Sequence, residues 1–100
     1  MPDRLELSTF EPHVGETFVL EVEGLGKVEL TLAEAEASPW QPAPDAGLPP
    51  AFSLVFRGPP QVVLPQNTYR MRHDALGDLD IFVTPIAGSD EGVDYQAVFS

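Results

Sequence analysis

Proline placement constrains this chain more than any other feature. A proline has no backbone N–H to give to a sheet ladder, so runs of residues between prolines are where strands can form. The prolines at 12, 39, 42, 44, 49, 50, 59, 60, 65 and 85 all fall outside the alternating apolar runs and mark their boundaries. Within those boundaries apolar residues recur with a period of two, the spacing of a half-buried strand. Phe18, Leu20 and Val22 share one face against Thr17, Glu21 and Glu23, and Val28, Leu30 and Leu32 share one against Lys27, Glu29 and Thr31. Gly24-Leu25-Gly26 between the two runs supplies the positive φ of a tight hairpin.

The alternation continues into Ala33-Glu34-Ala35-Glu36. Thr31 with Glu34 also reads as a capping box, but Pro39 would stop such a helix after barely one turn, so a strand is expected. Residues 38–51 form a Pro-rich loop around Trp40, long for a compact domain. Phe52, Leu54 and Phe56 mark a third strand, ended by Gly58-Pro59-Pro60, and Gln61–Leu64 a short extended piece. Leu64-Pro65-Gln66-Asn67 reads as a reversal in which Asn67 tolerates a left-handed conformation. Tyr69 and Met71 face inward on the next strand, Asp74–Gly77 turns the chain, and Leu79, Ile81 and Val83 alternate with Asp80, Phe82 and Thr84. Gly88–Gly92 is the last turn before Val93, Tyr95, Ala97 and Phe99. Near the N-terminus, Ser8 or Thr9 is placed to cap one helical turn through Glu11–Val14, stopped by Gly15.

About six short strands, each with one apolar face, must curl to hide their edges. The expected fold is therefore all-β: a small antiparallel β-barrel or two-layer sandwich in a single domain of 1–100, with one short N-terminal helical turn. Phe18, Leu20, Leu30, Leu54, Phe56, Tyr69, Ile81 and Phe99 are expected in one core, with Phe52 among the aromatic residues that fill it.

Charge narrows the function. Five Lys and Arg against 16 Asp and Glu give a net charge of −11, a field that repels phosphate backbones and anionic lipid, so nucleic acid is not an expected partner. No apolar run approaches a membrane span and the acidic start lacks a signal core, so membrane insertion is not expected, and the compartment stays open. Without cysteine there is no disulfide, thiolate nucleophile or Cys-ligated metal.

Candidate chemistry is sparse. His73, Asp74, Asp78 and Asp80 are the densest group of potential ligands, and a hairpin would set His73 across from Asp80, but no ligand spacing known for zinc or calcium is present. His13 beside Glu11 has no nucleophile elbow near it. Arg57, at the end of an apolar strand, is expected to lock that strand to a carboxylate or a loop carbonyl, with an anionic ligand as the other possibility. Phosphate and dinucleotide fingerprints are absent. No catalytic residue, metal or cofactor is expected, and the protein is read as non-enzymatic.

The segments 10–18, 52–59, 64–70, 73–77 and 95–99 resemble a family of uncharacterised bacterial domains of this size. The resemblance implies a small stand-alone β-domain with no established activity, in some members associated with phage-tail-like or tail-collar proteins. The insert at 38–50 is the least matched part. The expected function is a structural or protein–protein interaction module. It takes a protein partner or self-associates through Trp40, which is otherwise a lid over one end of the barrel, and through Val62, Val63 and Leu64; that uncharged segment, or the C-terminal Val98-Phe99-Ser100, would form an open edge if the barrel closes imperfectly. The alternative is a small-ligand domain or enzyme using Arg57, His73 or Asp80 at one barrel mouth.

Overall fold

A computed structural model describes residues 6–38, 41, 43, 45, 47 and 51–99. The strands are β1 (Thr17–Val22), β2 (Gly26–Ala37), β3 (Phe52–Gly58), β4 (Asn67–His73), β5 (Gly77–Ser89) and β6 (Gly92–Phe99). They close into an antiparallel barrel in the order β1-β2-β3-β6-β5-β4, so of the two expected architectures the barrel forms. The hairpins lie where glycine marks them. Gly24, Gly26 and Gly77 take φ of 86°, 81° and 76°, values an L side chain resists.

The inward positions of every strand meet in one core that includes Phe18, Leu20, Leu30, Leu54, Phe56 and Ile81, with Tyr69 and Phe99 packed against it from its margin. Phe18 meets Phe56 edge-on at 5.3 Å between ring centroids. Both mouths are filled. At one, a short helix α1 (Leu7–Phe10) and a 3-10 turn (Glu11–His13) bring fully buried Phe10 within 6.0 Å of Phe52 and 5.8 Å of Phe99. At the other, coil after β3 inserts fully buried Leu64, whose N–H donates to the Tyr95 hydroxyl at 2.9 Å.

Several expectations are corrected. The N-terminal helix begins earlier than expected, and Thr9 lies inside it, its hydroxyl accepting from the Glu6 N–H. The barrel closes where β1 meets β4 through the pairs Val19–Arg72 and Leu20–Met71; Gln61–Leu64 lies outside the strands and is not an open strand edge, and β6 lies between β3 and β5. Asn67 starts β4 without a left-handed φ, because no described residue other than glycine has a positive one. Pro85 lies within β5, tolerated where the register slips between Pro85 and Ala87. A second slip, between Leu32 and Glu34, lets β2 run on through the stretch that also resembled a helix start.

Candidate functional site

The most concentrated polar arrangement lies at the helix-capped mouth. The 3-10 turn delivers His13, Gly15 takes φ 92°, and the following residues are pinned to β2: the Gly15 N–H donates to the Leu32 carbonyl, and the Leu32 N–H to that of Glu16. This places the Glu16 carboxylate between two imidazoles, its Oε1 2.9 Å from His13 Nδ1 and 2.7 Å from His73 Nε2. The two rings meet edge-on at 4.6 Å, and Phe18 covers His73 from another side. The hydrogen bond from His13, reinforced by that from His73, holds the Glu16 carboxyl below its ordinary range.

Three ligand-bearing side chains this close invite a metal reading. The hydrogen bonds oppose it. His73 is 5% exposed, and its Nδ1 accepts the backbone N–H groups of Ala75 at 3.0 Å and Leu76 at 3.2 Å. Those two donors assign the lone pair to Nδ1, so the ring proton sits on Nε2 and is donated to Glu16. A metal at Nε2 would need the opposite tautomer, in which Nδ1–H faces two other N–H groups. The cluster thus braces the β4–β5 turn and ties the N-terminal segment to the barrel.

The other sequence candidates are dispersed. His73 lies opposite Gly77 and not Asp80, because the β4–β5 register pairs Arg70 with Asp80 and Arg72 with Asp78. Arg70 holds Asp80 at 3.1 Å and Arg72 holds Asp78 at 3.0 Å. Arg57 fulfils its structural role: it faces Asp94 across the β3–β6 ladder and grips it with Nε at 2.8 Å and a second nitrogen at 3.4 Å. Val62 is half-buried, Val63 is exposed, Leu64 is core, and Trp40 lies outside the described residues. Glu16 escaped the sequence reading because its partner His73 is remote in the chain and only barrel closure brings them together.

The outer surface has two distinct walls. Over β1, a groove of about 600 Å³ is lined by Thr17, Val19, Lys27, Arg70, Arg72 and Asp78, which include three of the chain's five cations. Across β3 and β6, two adjacent outward rows short of the Arg57–Asp94 pair carry no charge. One row of the ladder runs Val55, Gln96, Thr84, and the next carries Ser53 and Val98, with Phe82 brought to the same level by the register. Phe82 is 52% exposed, Val98 63% and Ile86 51%.

Among the described residues no helix is long and apolar enough to cross a membrane. No curated protein and no solved structure matches the chain. Residues 5–99 match the profile of the Domain of unknown function (DUF6916), and the chain belongs to that family.

Proposed function

We propose that this domain is a non-enzymatic protein–protein interaction module. The observation that carries the reading is the contrast between a barrel filled to both mouths, by Phe10 at one and Leu64 at the other, and an outer wall that leaves Phe82, Ile86 and Val98 to solvent. Small-ligand sites are concave and largely preformed, whereas exposed apolar surface of this kind marks contact with another macromolecule. The net charge of −11 directs it toward a protein partner and away from nucleic acid. The resemblance noted from the sequence makes a bacterial phage-tail-like or surface assembly the setting of this reading.

The test is cross-linking in cells that express the protein, followed by sizing of the purified material. The reading expects a discrete complex with a defined stoichiometry. A monomer at every concentration, with no cross-linked partner, would reject it. Thermal shift against a metal and small-molecule panel addresses the ligand alternative, which needs a clear rise in melting temperature that substitution of Arg57, His73 or Asp80 removes.

A further inference from the structure

The interaction reading leaves open which surface is used and what it meets; the inference here rests on that reading. We propose that the β3–β6–β5 wall is the docking face and that its partner presents apolar side chains flanked by lysine or arginine.

The register defines the face. Successive ladder rows read Glu36, Ser53, Val98 and Glu34, Val55, Gln96, Thr84, and the row after them closes with the Arg57–Asp94 pair. Two adjacent rows therefore cross β3 and β6 without a charge, in a chain where 21% of residues are charged. Phe82 and Ile86 extend the uncharged area along β5. Exposed Val14, Leu25 and Val63 lie elsewhere on the chain, whereas Phe82, Ile86 and Val98 share this one wall.

The rim identifies the occupant. Both rows end on β2 at exposed carboxylates, Glu34 and Glu36, and neither forms an ion pair among the described residues, whereas Asp78, Asp80 and Asp94 are each held by an arginine. Glu34 shares the attraction of Arg57, whose hydrogen bonds go to Asp94, so both rim carboxylates keep their own hydrogen-bonding capacity and are complementary to cations beside an apolar strip. A second copy of this chain would bring another −11 molecule and another pair of rim glutamates to the same place, so like-charge repulsion opposes it. The closed barrel offers no strand edge here, so recognition is between side chains and not by strand addition.

The probe is a short peptide of alternating valine and lysine, compared with one of alternating serine and lysine, titrated into the intact protein at low and high salt. Wild type should bind the valine peptide at least about tenfold more tightly than the serine peptide. The double variant Phe82→Ser/Val98→Ser should bring the two affinities together. Glu34→Gln/Glu36→Gln should weaken the valine peptide and flatten its salt dependence. Arg72→Gln, on the opposite wall, should change neither. Equal binding of both peptides by wild type, or an affinity ratio untouched in the Phe82/Val98 variant, overturns the proposal. So does a dimer in sedimentation that tightens with salt and is lost in that variant, which would make a second copy the occupant. A cellular complex that survives the Phe82/Val98 substitution overturns this face while the module reading stands; absence of any complex overturns both.

Discussion

The wall of β4, β1 and β2 and the wall of β3, β6 and β5 arise from the same alternation of residues, yet they fill their outward positions in opposite ways. On the first, Lys27, Arg70 and Arg72 stand among carboxylates, and the two arginines hold Asp80 and Asp78. Those carboxylates stand on the adjoining β5, so the charges of this wall are satisfied at its border. On the second, Val55, Phe82, Gln96 and Val98 face outward as an uncharged patch bordered by the Arg57–Asp94 pair, and Glu34 and Glu36 lie at its margin. Inward-facing residues are dictated by packing, so the two walls share one core; outward-facing residues are released from that demand, and their difference carries the information about function.

Substitutions in the shared core should hurt both walls equally. Phe56→Ala should cost about 3–5 kcal/mol in chemical denaturation, because the ring is fully buried against Phe18. A loss under about 1 kcal/mol would mean the two walls do not rest on a common interior. His73→Ala comes next. It leaves the Ala75 and Leu76 N–H groups without their acceptor, for a loss on the order of 1–3 kcal/mol, and hydrogen exchange should rise first in the β4–β5 turn, on the charged side of the barrel.

Acid should act through the same mouth. The Glu16 carboxyl is held below its ordinary value near 4.5 in the folded protein, so the ionised form favours folding. That stability is fully present above the unfolded value and is lost as pH falls through the folded one. Melting temperature in wild type should therefore fall more steeply below about pH 4.5 than in Glu16→Gln, and parallel curves would show that the two histidines do not hold the carboxylate. The bare wall should be indifferent to stability: Phe82→Ser should move the folding free energy by less than about 0.5 kcal/mol while removing the preference for apolar partners. Smallest is Arg72→Gln, whose exposed ion pair with Asp78 should give a barely measurable change that vanishes at high salt.

Most of the barrel was legible because period-two alternation and glycine turns are local signals. Phe18–Val22, Val28–Leu32 and Leu79–Val83 need no distant partner to be read as strands, and Gly77 marks its hairpin unaided. What escaped depends on closure. Phe10 and Leu64 lie in a helical turn and in coil, without a period to announce them, yet both are fully buried plugs. Pro85 marked a boundary until the register slip gave it a place in β5. Leu64 belonged in sequence to an apolar triplet with Val62 and Val63, and the Tyr95 hydroxyl that turns it inward lies on another strand. The bare wall was hidden for a simpler reason: Phe82, Gln96 and Val98 are ordinary outward residues until the ladder sets them side by side.

The join between β2 and β3 has a further consequence. The Ser38 N–H donates to the Ala51 carbonyl, and the Gln41 amide bridges back to the Ser38 and Ala51 carbonyls while accepting from the Ala51 N–H. These bonds draw the two ends of the excursion shut like a purse string at its neck. Lengthening a loop whose ends are already held together adds little closure entropy, about 0.6 kcal/mol for each doubling. Foreign peptides spliced in beyond Gln41 should therefore be carried without disturbing the strands, which makes this domain a natural frame for display.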